Sequence, residues 1–337
     1  MPSDHIGPRP KRRALSRRAL LAASATTALV YPTLSRANAW PTRPVRMIIP
    51  SPPAGPADLY GRLLSEHFAR TFGGSFVVDN RPGASGAVAA AALARAEPDG
   101  HTLLIGSNST FVLTPLTLKR PGFDPQRDFA PIGLLTSYAM YLVGRPNLPF
   151  RDIAGLVQHA RAHPGRLNYA SFGVGSVGYM AHEVLRRRAG IDVEHVGYPG
   201  TAAVLQALMR GEADYGFDSV GNAQPHVDAG KLLPLAVSTA ERAARVPQVP
   251  TIAEAGFPQF DLRIWLGLVA PAGTAPSIVH KLNAEIERFA ALPETRKRFE
   301  DSAYDATTES SEAMTARLVK ERRFWADIVR EARIELD

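Results

Sequence analysis

Short β-rich runs and helical patterns alternate along most of this chain, and few architectures accommodate that alternation. Val45–Pro50 reads as an apolar strand, and Ala57–Phe72 has helical spacing that puts Leu59, Leu63, Leu64, Phe68 and Phe72 on one face. Phe76–Val78 reads as a strand, Ala84–Arg95 as an alanine-rich helix and Thr102–Gly106 as a strand. A βαβαβ run of this kind predicts a mostly parallel sheet flanked by helices.

The order then repeats. Strands are expected at Met140–Gly144, Leu167–Ser171, Val193–Val196, Ala213–Asp218 and Leu233–Ser238. Helices are expected at Ile153–Ala162, Val177–Ala189 and Ala202–Arg210. Beyond them come a strand at Ile264–Ala270 and helical patterns at Pro276–Ala290 and Glu309–Ile334. The last of these has no sheet of its own, so it is expected to return to the first unit. The predicted class is α/β with two lobes. One is a discontinuous domain of 40–141 plus 240–337, and the other is 142–239 inserted within it, so that two chain crossings form a hinge.

The first 39 residues read as an export signal. Lys11, Arg12, Arg13, Arg17 and Arg18 form a basic start, Ala19–Val30 an apolar stretch, and Ala37-Asn38-Ala39 an A-x-A cleavage site, which places the mature start at Trp40 and the protein in the periplasm. Ser16-Arg17-Arg18-Ala19-Leu20-Leu21 resembles the twin-arginine export pattern. This leader also explains the basic charge. It holds seven Lys/Arg and one acid, so only +1 of the chain's +7 belongs to residues 40–337. No basic field is left to bind nucleic acid. The chain has no cysteine, which excludes disulfides, thiol catalysis and Cys-ligated zinc.

Four segments are candidate sites. Pro53, Ala54, Gly55, Pro56, Ala57 and Asp58 lie where the first strand turns into the first helix, a place where unpaired N–H groups and the helix dipole favour an anion. A helix cap at Asp58 would explain the same residues. Ser107, Asn108 and Ser109 follow a strand, where α/β sheets bind ligands or simply turn. Gly173, Gly175, Ser176 and Val177 follow the strand that ends at Ser171 and offer a second helix N-terminus. Gly173–Gly178 also matches G-x-G-x-x-G, with Asp192 and Glu194 beyond it, so an exported nucleotide-dependent oxidoreductase is the alternative reading. Asp218 and Ser219 end a strand and could cap the next helix or pair with an amine. The histidines are scattered, and Val174 stands where G-x-S-x-G requires its first glycine, so no catalytic constellation is apparent.

Nine ordered segments carry a resemblance. They are Pro50–Asp58, Val78–Gly86, Pro98–Leu104, Arg127–Ile132, Gly173–Glu183, His195–Gly200, Gly230–Ser238, Pro250–Gly256 and Trp265–Thr274. Together they resemble the Bug family of tripartite tricarboxylate transporter (TctC-like) periplasmic substrate-binding receptors over nearly the whole of residues 40–337. The resemblance implies a type II, Venus-flytrap binding protein that is monomeric, needs no cofactor or metal, and catalyses nothing. It would hand a small carboxylate to a membrane transporter or a sensor. It further implies two facing loops, Pro53–Asp58 and Ser171–Val177, that hold the carboxylate through backbone amides, hydroxyls and water. Neither loop carries Arg or Lys. Ala54, Tyr179, Gly197 and Pro199 depart from the family's usual residues.

Overall fold

The structure is a computed structural model that describes residues 40–53 and 55–332, the last two in backbone only. The leader and Ala54 lie outside the described residues. Nine strands form one mixed sheet: β1 (Val45–Ile49), β2 (Phe76–Asn80), β3 (Thr102–Ser107), β4 (Phe129–Gly144), β5 (Asn168–Ser171), β6 (Glu194–Gly197), β7 (Tyr215–Ser219), β8 (Leu233–Val237) and β9 (Arg263–Pro271). The path is β2-β1-β3-β9-β4-β7-β5-β6, with β8 paired to β4.

Strand directions divide the sheet into two similar halves. β1 pairs in parallel with β2 and β3, while β9 runs antiparallel to both β3 and β4. In the other half β5 pairs in parallel with β6 and β7, while β4 runs antiparallel to β7 and β8. Each half therefore has one reversed strand, β9 in the first and β4 in the second, among neighbours that share a direction. β4 serves both. It pairs with β9 from Phe129 to Ala139 and with β7 from Met140 to Gly144.

The flanking helices are α1 (Pro56–Phe72), α2 (Ala87–Ala94), α3 (Ile153–Ala162), α4 (Val177–Ala189), α5 (Thr201–Arg210), α6 (Val220–Asp228), α7 (Pro276–Ala291), α8 (Pro293–Asp301) and α9 (Ser311–Ala332). α1 buries a different face from the one its leucines suggest. A Cβ on Gly61 would stand 2.5 Å from Ile49 Cδ1, so the helix rests on β1 through a glycine. Tyr60, Leu64 and Phe68 turn inward with Gly61, and Leu59 is left 42% exposed. The final helix does return to the first half. Met314 fills the space beside Gly267 of β9, and Trp265 Nε1–H donates to Glu321 at 2.8 Å.

Candidate functional site

Strand order points to a candidate site. β1 lies between β2 and β3, and β5 lies between β6 and β7, so each half has a switch point beside its central strand. Open α/β sheets bind ligands outside the carboxyl ends of strands at such points. The segments leaving β1, β3, β5 and β7 are the four candidate segments read from the sequence.

Contacts join loops of one half to loops of the other. Ser85 Oγ donates to the Val174 carbonyl at 3.0 Å, and the Val177 N–H donates to Ser109 Oγ at 3.1 Å. A Cβ on Gly175 would meet Thr117 Oγ1 at 2.8 Å, and one on Gly200 would lie 3.8 Å from Pro52 Cγ. Ser85 reaches across because Gly83, Ala84, Ser85 and Gly86 all take positive φ, with 44° at Ala84 and 50° at Ser85. Non-glycine residues rarely occupy that region, and two in succession fix a sharply turned loop.

The first loop presents an uncapped helix end. Gly55 is the N-cap of α1 and Pro56 follows it. No side chain caps the first turn, so none competes with a ligand for its N–H groups. Asp58 does not cap. Its carboxylate, 4% exposed, accepts from Arg62 Nε at 3.0 Å and from Asn80 Nδ2 at 2.9 Å. Asn80 Nδ2 also donates to the Ser51 carbonyl at 3.0 Å, which ties the loop to the end of β2. Asp58 thus shapes the loop around Pro53 and Ala57.

The second loop is capped. Ser176 Oγ accepts the Tyr179 N–H at 3.2 Å, and its own proton remains to be donated. Ser171 Oγ accepts the Gly173 N–H at 3.1 Å and lies 2.7 Å from His195 Nε2. Burial holds the His195 imidazole below the ordinary histidine range, so the neutral ring can accept the Ser171 proton.

Two further segments complete the crevice. Ser107 ends β3 opposite Leu266, and Asn108 Nδ2 donates to the Arg263 carbonyl at 2.8 Å. Ser219 caps α6 by accepting the Asn222 N–H at 3.3 Å. Burial pushes the Asp218 carboxyl up to about 7, against hydrogen bonds from Ser219, Asn222 and Thr201 that favour its charge. Ser85, Thr117 and His195 were not among the sequence candidates. The signal for Ser85 was its place between Gly83 and Gly86.

The G-x-G-x-x-G match does not make a dinucleotide site. A ribose-binding acid belongs at the carboxyl end of the second strand, beside the glycine loop. Glu194 instead opens β6, level with Asn168, whereas the loop follows Ser171, which is level with Gly197. That separates the acid from the loop by about 10 Å of strand. Among the described residues, no group of three or more His, Asp or Glu side chains could hold a metal, and no helix is long and apolar enough to cross a membrane.

Comparison with known proteins identifies the family. The model of the tripartite tricarboxylate transporter family receptor matches residues 61–333. The chain belongs to that family. It is a family of periplasmic binding proteins, and solved structures of TctC-like receptors align over most of the chain. R. palustris Rpa4515 with adipate is 31% identical, with a TM-score of 0.84 over 88% of this chain and 99% of that one. MatC from Rhodopseudomonas palustris with bound malate is 34% identical, with a TM-score of 0.81 over 86% of this chain and 100% of that one. The periplasmic binding protein BugD is 29% identical, with a TM-score of 0.82 over 88% of this chain and 99% of that one. The two-lobed α/β fold expected from the sequence is shared with these TctC-like receptors.

Proposed function

We propose that this chain is an exported solute receptor that closes on a small carboxylate and delivers it to a tripartite tricarboxylate-type transporter or a sensor. The observation that supports the reading is that segments leaving the switch-point strands approach the other half, with Pro52 beside Gly200 and Ser109 bonded to Val177, while helices begin at Gly55 and Ser176 with no Arg or Lys in either loop. An anion there would be held by N–H groups, the Ser176 hydroxyl and helix dipoles. The adipate and malate seen with two family members support a carboxylate ligand.

In this reading residues 40–141 and 240–337 form one lobe and 142–239 the other. Closure bends the chain where β4 changes partners and where β8 leads back toward β9. The receptor works in the periplasm as a monomer, without metal, nucleotide or catalysis. Mass spectrometry of small molecules released from the purified protein tests it directly. Calorimetry with the released compound after dialysis against chelator should then show undiminished affinity. Release of a nucleotide, or affinity that returns only with a divalent ion, would overturn the reading.

A further inference from the structure

Three side-chain atoms near the switch points are buried and lack a hydrogen-bond partner: Ser51 Oγ, Asn108 Oδ1 and Asp218 Oδ2. A hydroxyl can donate or accept, so Ser51 is compatible with many ligands. The other two are more informative. Asn108 Nδ2 donates to the Arg263 carbonyl, and a carbonyl can only accept, so the amide is turned one way and Oδ1 is left as an acceptor. Asp218 Oδ1 takes the Ser219 N–H at 2.7 Å and Asn222 Nδ2 at 3.3 Å, which leaves Oδ2. Asn108 is 2% exposed and Asp218 3% exposed. Among the described residues no Lys, Arg or His forms an ion pair with Asp218.

The two acceptors are tied to either side of the same strand. Arg263, to which Asn108 is tied, is registered opposite Ala139 of β4, and Asp218 is registered opposite Tyr141 of the same strand. They therefore flank the point where β4 passes from one half of the sheet to the other. A ligand that offers only acceptors would leave Asn108 Oδ1 unmatched and would repel Asp218 in its ionised form.

We propose that the crevice selects ligands that carry a hydrogen-bond donor on the carbon skeleton, a hydroxyl or an ammonium, beside the carboxylate. The inference rests on the carboxylate reading above and narrows it. The carboxylate end docks on the two helix N-termini, and the donor faces Asn108 and Asp218.

The test is calorimetry with matched compounds: succinate, malate and aspartate, then adipate, 2-hydroxyadipate and 2-aminoadipate. In at least one series the hydroxy or amino compound should bind tenfold or more tightly than its unsubstituted parent, and the better of the two names the donor. Asp218→Asn turns the unmatched acceptor into an amide donor, so it should abolish or reverse that preference, and Asn108→Ala should weaken it. Parents that bind as tightly as their substituted partners would overturn the inference, because ordered water would then satisfy the acceptors. A preference unchanged in both variants would overturn it too. Failure of every compound, substituted or not, would remove the carboxylate reading itself and this inference with it.

Discussion

Ser85 and Val174 sit in opposite halves of the sheet, 89 residues apart, yet the Ser85 hydroxyl donates to the Val174 carbonyl at 3.0 Å. The bond joins the loop after β2 to the loop after β5, and it forms outside the set of atoms that would touch a ligand at Gly55 and Ser176.

The Ser85–Val174 bond should therefore bias closure without contributing to recognition. A neutral hydrogen bond contributes about 0.5–1.5 kcal/mol, so Ser85→Ala should shift the open–closed balance by up to about tenfold. Solution scattering should show an expanded ligand-free variant that compacts to the wild-type size at saturating ligand. An unchanged radius of gyration without ligand would show that the bond does not hold the halves together.

Gly173 and Gly175 separate strain from obstruction. Both take positive φ, at 98° and 83°, so alanine is strained at either. Only at Gly175 would the new Cβ meet a neighbour, Thr117 Oγ1 at 2.8 Å, while nothing lies within 4 Å at Gly173. Gly175→Ala should abolish most of the ligand-induced rise in melting temperature, and Gly173→Ala should lower the baseline but keep the rise. Equal loss in both would place the effect in backbone strain alone.

The two helix N-termini should fail differently. Gly55 has φ −83°, and its nearest neighbour to a new Cβ is Ser51 Oγ at 3.6 Å, so Gly55→Val should fold normally and lose affinity by blocking the backbone. Ser176→Ala should lose a ligand hydrogen bond, about 1.5–3 kcal/mol or ten- to over a hundredfold in affinity. It should also lose the α4 cap, about 1 kcal/mol of stability. Only the serine variant should melt substantially lower without ligand.

Asp218 gives a dependence on pH with a definite sign. Its carboxyl titrates at about 7 when folded, against an ordinary value of 3.8. Between those values the unfolded chain loses the proton first, so this group's stabilising contribution is full below about pH 4 and is lost as pH rises through 7. The ionisable groups facing it, Tyr138 and Tyr304, are pushed far above this window by burial and stay neutral. Asp218→Asn should therefore melt higher than wild type at pH 8, by on the order of a few kcal/mol, with the gain vanishing near pH 4. A gain that does not change with pH would show that the carboxyl does not titrate there.

Export can be tested independently of the fold. If the leader uses the twin-arginine route, replacing Arg17 and Arg18 with lysine should hold the protein in the cytoplasm, as cell fractionation would show. Unchanged export of that variant would exclude the route.

Much of this fold was legible where local chemistry marks it. Val177–Ala189 was bounded correctly because Ser176 caps its start and Gly190 takes the left-handed conformation at its end. The first part of β4 was missed because Pro131 and Gly133 read as breakers, and the register indeed shifts between Pro131 and Gly133 and between Leu134 and Thr136. Pro225 likewise hid α6. In the candidate site, the positions of the four segments at strand ends were legible because strand ends and helix starts carry recognisable residues. The roles of Asp58 and Ser171 were not, because Arg62 and Asn80 engage one and His195 the other through tertiary packing.

β4 would give the proposed hinge a mechanical character. A flexible linker would let the halves drift apart and reorient freely. Here one unbroken 16-residue strand is hydrogen-bonded to β9 along its first part and to β7 and β8 along its last. Neither part can slide without breaking a ladder, so displacement between the halves has to be absorbed as torsion near Ala139 and Met140. In the proposed closure such an element would act as a torsion spring, with the path between open and closed set by the sheet itself.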